Sequence, residues 1–596
     1  MSVLSDSDTE AEVVSRNLCA VVDIGSNGIR FSISSKAQHH ARIMPCVFKD
    51  RLGISLYEIQ YDSETGEQIP IPEDIIEEIV SAMKRFQMIC EDFGVAESGV
   101  RVIATEATRL AINCDEFIHA IESSTGWDVE LLSRPEEERI DAYGVVSSFY
   151  TVSGLYLDLG GGTVNLSWLK AVDGEITLSP TSVALPYGSS ALTRRSKTED
   201  RKALFVEIRE AFRKAVDEIG IPNDMIQEAK KNGGFTLMAR GGGLRGMGHL
   251  LISQDPDYPV QTIINGYSCS SDDFDSLTDY LFLKKRLPGN NRVFKVSEKR
   301  RSQLPAVALL MSAAFEVLPR ITTIYFSEGG VREGTLYSIL PRDIRAQDPL
   351  VISTRPYAPL LADKYLQLLK TALPEDQIPE VVYKRVAPAL CNLAFIHASY
   401  PKELQPTAAL HVATRGIISG CHGLSHKIRA LIGIALCNRW GGNIPEPEEK
   451  YMRSLEDVLY NDHSRVEAKR IVWWTKYIGT IMYVICGVHP GGNIRDNVFD
   501  FVVTKKRVQT NQTGDHNTPK RSNSRTIDEA LENQMDNLSL QTGAHREFEV
   551  IVRISKDDLK TSASVRSRII TLQKKIRKLS RGSPEKVRIS VQFSDN

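Results

Sequence analysis

The residues best suited to chemistry lie in two glycine-rich turns. The first, Asp23-Ile24-Gly25-Ser26-Asn27-Gly28, sits within an otherwise apolar run from Leu18 to Ile33. Glycine lets the backbone approach an anion closely, and exposed amides with the Ser26 and Asn27 side chains can donate to phosphate oxygens, with Arg30 just beyond. A simple tight β-turn uses the same residue types, so one such turn decides little. The second, Leu157-Asp158-Leu159-Gly160-Gly161-Gly162-Thr163-Val164-Asn165-Leu166, repeats the design and aligns Asp158 with Asp23 and Gly160 with Gly25. Two copies of strand, aspartate, glycine hairpin and strand predict a duplicated lobe whose hairpins face one cleft. Phosphates would sit between Gly25, Ser26, Asn27 and Gly28 on one side and Gly160, Gly161, Gly162 and Thr163 on the other. An aspartate ending each strand suits Mg2+ held largely through water, since magnesium takes few carboxylates, and Asp158 is the expected metal ligand. A third turn, Arg240-Gly241-Gly242-Gly243, follows the strand-like Phe235 to Met238 and precedes an apolar helix. Such a turn brings backbone against the flat or phosphorylated face of a ligand.

Regular elements must hold these turns. From Leu18 onward, β-rich segments closed by glycine turns alternate with helical stretches such as Glu73 to Phe93 and Arg201 to Ile219. That alternation predicts α/β lobes, here residues 17–150 and 151–344. Beyond Leu340 the glycine turns thin out and the apolar spacing from Leu360 to Val488 is helical, which predicts a separate all-α domain over 345–508. Residues 509–545, polar and charged with almost no large apolar side chain, read as a disordered linker, and the short acidic stretch 1–16 as a disordered tail. The last segment, 546–596, alternates at Phe548, Val550, Val552 and Ile554, turns helical through Lys574, Lys575, Arg577 and Lys578, and alternates again at Val587, Ile589, Val591 and Phe593. It reads as a small β-α-β module with a basic helix face.

A chain of 596 residues exceeds what one hydrophobic core fills, about 250–300 residues. Its 42% apolar and 25% charged residues are ordinary for a globular protein. The formal net charge of −2 argues against a general polyanion-binding surface, so direct DNA binding is not expected and any anion binding must be local. The nine cysteines show no two-residue spacing, which predicts reduced thiols of a cytosolic or nuclear protein and neither a disulfide framework nor a zinc site. No apolar run follows the acidic start at Asp6, Asp8, Glu10 and Glu12, so no secretory signal is expected. The apolar stretch Tyr477 to Val488 falls short of the ~20 residues of a membrane helix and reads as a buried helix.

The three turns are similar to the two phosphate hairpins and the adenosine-side turn of the sugar kinase, chaperone and actin superfamily, whose lobes are ribonuclease H-like. Between and after them run Arg101-Val102-Ile103-Ala104-Thr105-Glu106-Ala107-Thr108-Arg109 with Asn113, then Ser124-Thr125-Gly126-Trp127-Asp128-Val129-Glu130, Leu185-Pro186-Tyr187-Gly188 and Gly330-Val331-Arg332-Glu333-Gly334. These fall in the order of the exopolyphosphatase and guanosine pentaphosphate phosphohydrolase (Ppx/GppA) family, which the chain resembles over residues 18–345. The resemblance implies two actin-like lobes around a phosphate-binding cleft and Mg2+ as cofactor. It also implies a glutamate acting as general base on a water that attacks a terminal phosphoryl group, parts that suit phosphoryl transfer. Matched onto Glu136-Glu137-Glu138-Arg139, it assigns the base to Glu137 and a phosphate-contacting arginine to Arg109. Neighbouring like charges are expected to raise the proton affinity of Glu137. From the residues alone, the acidic run is equally a helix start, where carboxylates meet the positive end of the dipole.

The chain also departs from that family. Asn165 stands where the family has a glutamate that helps position metal and water, and Gly28 where it usually has serine. A neutral carbonyl weakens a metal site and removes basicity where charge accumulates. His411, His422 and His426 resemble part of a metal-dependent phosphohydrolase domain of long bacterial members, but Val412 stands where that site needs an aspartate, so structural histidines are expected. The segments Arg470 to Tyr477 and Gly487 to Arg495 are similar to the fungal branch of the family that serves the retrograde response. That resemblance implies a cytoplasmic regulator of mitochondria-to-nucleus communication. It would bind ATP or another polyphosphate in the interlobe cleft, hydrolyse little or none of it, and sequester a repressor protein, with no membrane partner and a homodimer left open. The alternative is an active, Mg-dependent exopolyphosphatase or guanosine polyphosphate phosphohydrolase built on Glu137, Asp158 and Arg109.

Overall fold

The computed structural model describes residues 16–62, 65–288, 292–490, 499–505, 546–555, 563–581, 583 and 585–594. The expected acidic tail (all but Arg16) and the expected linker lie outside the described residues. The chain divides into two compact units, Met1–Ser353 with Gly420–His426, and Thr354–Ser419 with Lys427–Asn596.

The first unit contains two lobes. In lobe I, β1 (Leu18–Gly25), β2 (Gly28–Ser35), β3 (Cys46–Leu52), β4 (Val100–Ala104) and β5 (Val129–Leu131) form a five-stranded sheet in the order β3-β2-β1-β4-β5. Successive side chains of a strand point to opposite faces, and β1 is buried on both. Leu18, Ala20, Val22 and Ile24 join Ile79, Met83 and Phe86 of the helix Glu73–Asp92 in one core, while Cys19 and Val21 join Ile140, Val145 and Val146 of the helix Arg134–Ser147 in another. The buried strand thereby fixes the hairpin at its end between two packed layers.

Lobe II repeats the scheme with β6 (Val152–Leu159), β7 (Val164–Val172), β8 (Glu175–Leu178), β9 (Val183–Leu185), β10 (Phe235–Arg240), β11 (Tyr267–Ser270) and β12 (Ile321–Phe326). Their order is β11-β12-β10-β6-β7-β8, with β9 against β7. In each lobe the glycine hairpin joins an antiparallel pair, β1 with β2 and β6 with β7, beside a parallel strand, β4 or β10.

Glycine sets how closely two helices of this unit cross. A Cβ on Gly144, in the helix Arg134–Ser147, would lie 2.6 Å from the Gly330 carbonyl oxygen, and one on Gly329 or Gly334 would run into the backbone of Gly144 or Ile140. The Gly330 to Gly334 motif is therefore a packing surface for the helix that carries Glu137.

The second unit is mainly helical, but it also holds β13 (Phe499–Lys505), which falls in the stretch expected to be all-α. β13 pairs antiparallel with β14 (Arg546–Ser555), and β14 pairs parallel with β15 (Glu585–Ser594), so the expected β-α-β tail is completed by a strand from before the linker. The helix Arg465–Val488 is 24 residues long and, by length and composition alone, could cross a bilayer. Its apolar window is 78% buried inside the protein, which is the signature of a core helix. The fully buried Trp474 lies 6.1 Å from Phe548 of β14 between ring centres, and Trp473 Nε1 donates to the Leu579 carbonyl at 3.1 Å. No disulfide joins any of the nine cysteines, the pattern expected of reduced thiols.

Strand β14 and the helix Ala563–Leu579 therefore cover part of this unit's core. Truncation after residue 508 should lower its melting temperature by on the order of 10 °C, since uncovering one large aromatic costs about 3–5 kcal/mol at about 2–4 °C per kcal/mol. Differential scanning calorimetry checks this; an unchanged transition would mark the tail as a dispensable appendage.

Candidate functional site

The two hairpins come together. In lobe I, Ser26 and Asn27 form the turn between Gly25 and Gly28, which face each other across the β1–β2 register. The Ser26 carbonyl accepts from the Tyr57 amide at 3.0 Å, and the Asn27 carbonyl from Arg51 Nη2 at 2.6 Å. These bonds leave the Ser26 and Asn27 side chains at the tip, with Asn27 exposed. In lobe II, Gly160 N donates to the Thr163 carbonyl at 2.9 Å to close the turn. The carbonyls of Gly160, Gly161 and Gly162 accept from the amides of Ser189, Ser190 and Gly188, each at 2.9 Å, so the hairpin caps the helix Ser189–Thr198. That explains the Leu185 to Gly188 motif structurally: a side chain at Gly188 would collide with Gly161 and Gly162. A Cβ on Gly161 would lie only 4.0 Å from Asn27 Nδ2, and one on Gly162 3.5 Å from the Tyr57 ring, which brings the tips within reach of one small anion.

The glycines divide into two kinds. Gly28 has φ +146° and Gly241 φ +96°, backbone conformations that L side chains rarely adopt. A Cβ on Gly28 would lie 2.9 Å from the Leu52 carbonyl oxygen, while one on Gly241 or Gly242 would strike the Leu159 backbone or the Arg300 guanidinium. Gly243 is confined by Leu159 and Val307, with Val307 Cγ2 at 3.0 Å. Gly28 in place of a serine is thus a requirement of this backbone, while a Cβ on Gly161 would meet Ser190 and Asn27 only at ordinary van der Waals distance.

Glu137 is singled out from its neighbours by local bonding. Glu136 closes a capping box: Ser133 donates its amide to Glu136 Oε2 at 2.9 Å and its hydroxyl to the same oxygen at 2.6 Å. The Ser133 hydroxyl bond holds the Glu136 carboxyl below its usual range. Glu138 pairs with Arg134 at 3.7 Å. Glu137 alone of the three meets Arg109, whose Nη2 lies 3.1 Å from Oε2, and Arg109 is itself anchored to the Leu132 carbonyl at 2.5 Å. Burial pushes the Glu137 carboxyl up to about 7, with Arg109 opposing and Glu106 and Asp158 adding smaller increases. The expected rise is present, but desolvation causes it more than like charge does.

Asp158 is spoken for. Arg240 Nη1 bonds Asp158 Oδ2, Nη2 bonds Asp141 Oδ1 at 2.6 Å, and Nε donates to the Gly329 carbonyl at 2.9 Å. The sheet enforces the first contact, because Arg240 and Asp158 are register partners between β10 and β6, and Asn165 is the partner of Asp158 on β7. In lobe I, Asp23 and Arg30 are likewise register partners and pair at 2.6 Å. Asn165 Oδ1 is buried with no hydrogen-bond partner, a single neutral oxygen beside committed carboxylates. Among the described residues no group of three or more histidine, cysteine, aspartate or glutamate side chains is placed to hold a metal ion. Asp158, the expected metal ligand, is held by Arg240, and the residues present do not fit a magnesium ion resident there.

Sequence reasoning passed over Arg240 as a side chain, together with Asp141, Arg245 and Arg300. Burial depresses the pKa of Arg245, which lies near Arg30 and Arg240 with Glu328 as its opposing charge, and burial with Arg245 nearby brings Arg300 down to about 10. These cationic groups stand beside the third glycine turn, in the helices Gly242–Gln254 and Glu298–Phe315. Their only sequence signal was an arginine on either side of Gly241 to Gly243. The three histidines are separately engaged: His411 with Glu448 at 2.8 Å, His422 with the Ser147 hydroxyl at 2.8 Å, and His426 with Tyr258 and the Ile263 carbonyl, both at 2.8 Å.

Comparison with known proteins matches residues 32–343 to the Ppx/GppA phosphatase family and residues 348–571 to the RTG2 C-terminal domain. The chain is 65% identical over 597 aligned positions, the full length of both, to Retrograde regulation protein 2 of Saccharomyces cerevisiae. It is 27% identical to guanosine-5'-triphosphate,3'-diphosphate pyrophosphatase of Pseudoalteromonas translucida, over 41% of this chain and 46% of that one. Among solved structures it resembles the Ppx/GppA phosphatase of Aquifex aeolicus, with 22% identity, coverage of 54% of this chain and 99% of that one, and a TM-score of 0.42. The expected architecture, two α/β lobes followed by a mainly helical region and a small carboxy-terminal sheet, is the one observed.

Two outcomes follow from this geometry. Gly161→Ala should fold with parental stability, within about 0.5 kcal/mol, while Gly241→Ala should lose several degrees of melting temperature. Glu137→Gln tests the carboxyl: burial makes its ionisation cost folding energy as pH rises from about 4.5 through 7. The variant should therefore gain on the parent between pH 5 and pH 8, by up to about 3 kcal/mol for the full shift. Thermal melts at the two pH values check the sign, and a difference independent of pH would place Glu137 in the ordinary range.

Proposed function

This chain belongs to the Ppx/GppA phosphatase family, and on that premise we propose that it is a regulator of retrograde, mitochondria-to-nucleus signalling that binds ATP or another polyphosphate between its lobes with little or no hydrolysis. Its homologue's name supplies the retrograde role. The observation that carries the loss of hydrolysis is the commitment of Asp158 to Arg240, with the neutral Asn165 beside it where the family has a glutamate. Binding is supported by the facing hairpin tips, where Gly161 comes close to Asn27, and by the cationic side chains of Arg109, Arg245 and Arg300.

The proposed regulator works in the cytoplasm by holding a repressor protein in a ligand-dependent way. Contacts already cross the cleft: Tyr57 of lobe I accepts from Arg194 Nη2 of lobe II at 2.8 Å, and Glu58 pairs with Lys299. A ligand that favours one spacing of the lobes shifts the population towards it, and only a partner with different affinity for the two states reads that shift.

A second reading, an active phosphohydrolase, is favoured by Glu137. A carboxyl near 7 beside an arginine suits a general base. Calorimetric titration of the full chain with ATP and with polyphosphate, while phosphate release is followed in the same samples, separates the two. Saturable binding without release is expected. Release that disappears in Glu137→Gln would establish the enzyme, and absence of both binding and release would overturn both readings.

A further inference from the structure

We propose that the Arg240 guanidinium is the resident cation of the interlobe cleft, so that this chain takes a phosphate-bearing anion without holding a divalent metal ion at Asp158. The anion part rests on the function proposed above; the metal part stands on the cleft geometry alone. Three features support it. The contact is built into the sheet, because Arg240, Asp158 and Asn165 occupy matched register positions on β10, β6 and β7. All three edges of the guanidinium are used, on Asp158, Asp141 and the Gly329 carbonyl, and the side chains of Arg240, Asp141 and Asp158 are 16%, 12% and 12% exposed. Two other acidic groups nearby are also engaged, Glu137 by Arg109 and Asp23 by Arg30.

A magnesium ion needs near-octahedral oxygen ligands and keeps several waters, typically using one or two carboxylates. To take Asp158 Oδ2 it would have to displace Arg240 Nη1, leaving a nearly buried guanidinium without one of its two carboxylates. Asn165 adds one neutral oxygen, too little to compensate for that loss. The guanidinium is itself a fixed, permanently charged group with planar donors. Its single positive charge offsets one of the two carboxylates, Asp158 and Asp141, that would otherwise repel a phosphate, and Arg245 adds a further cationic group beside it.

The test uses the full chain and two probes. Mn2+ titration followed by electron paramagnetic resonance, without nucleotide, should reveal no site in the parent that Asp158→Asn removes. Arg240→Gln should create one that the added Asp158→Asn abolishes. ATP and tripolyphosphate should bind the parent in EDTA and in excess Mg2+ with affinities within about threefold. Mn2+ binding by the parent that depends on Asp158, or a loss of about tenfold or more in EDTA, would overturn the proposal. Circular dichroism verifies that Arg240→Gln folds; if it does not, the parent and Asp158→Asn decide the metal question between them. If neither anion binds under either condition, the functional reading fails while the Mn2+ result still decides this one.

Discussion

The Arg240 guanidinium ties together the parts of the first unit that matter for chemistry. It ends β10, reaches Asp158 on the neighbouring strand, reaches Asp141 one turn beyond Glu137 on the helix Arg134–Ser147, and takes the carbonyl of Gly329 at the entry to the helix Val331–Ser338. Removing one partner of a buried ion pair costs about 3–5 kcal/mol, because the other charge is left uncompensated. The second hairpin, the Glu137 helix and the glycine crossing therefore keep their positions together. In lobe I the Asp23 to Arg30 pair is the simpler counterpart, confined to one hairpin and half open to solvent on the arginine side.

Glycine serves two separate ends in this fold. Gly144, Gly329 and Gly334 let two helices approach until backbone meets backbone, which fixes the helix that presents Glu137. Gly28 and Gly241 supply backbone conformations denied to other residues, while Gly161 does neither and lies at the hairpin tip close to Asn27 of the other lobe. The same residue type is thus scaffold in some positions and access in another. Only the surroundings of each Cβ distinguish them.

The second unit is built around one apolar helix, Arg465–Val488, whose tryptophans meet Phe548 of β14 and the Leu579 carbonyl of the helix Ala563–Leu579, while β13, from before residue 506, pairs with β14. The run Phe499 to Lys505 alternates Phe499, Phe501 and Val503 in the manner of a strand, yet it is short and follows a long helical stretch. Its register partners lie 43 to 55 residues later in the chain, a separation that local periodicity does not bridge.

Local pattern alone determined much of this protein. Apolar strands ended by Asp23 and Asp158, the glycine turns after them, and the helical period from Leu360 to Val488 are short-range signals, and the folded chain keeps all of them. The acidic run at Glu136 to Glu138 was equally visible as a run, but which carboxylate faced the cleft depended on a capping box with Ser133, an ion pair with Arg134 and the arrival of Arg109 from another segment. The fate of Asp158 was not legible at all. Its partner Arg240 is 82 positions away in sequence, and the contact exists because β6 and β10 lie side by side in a fixed register. Whether an aspartate at a strand end waits for a metal ion or already holds a guanidinium is a matter of which side chain the sheet sets opposite it, and only the tertiary structure makes that choice.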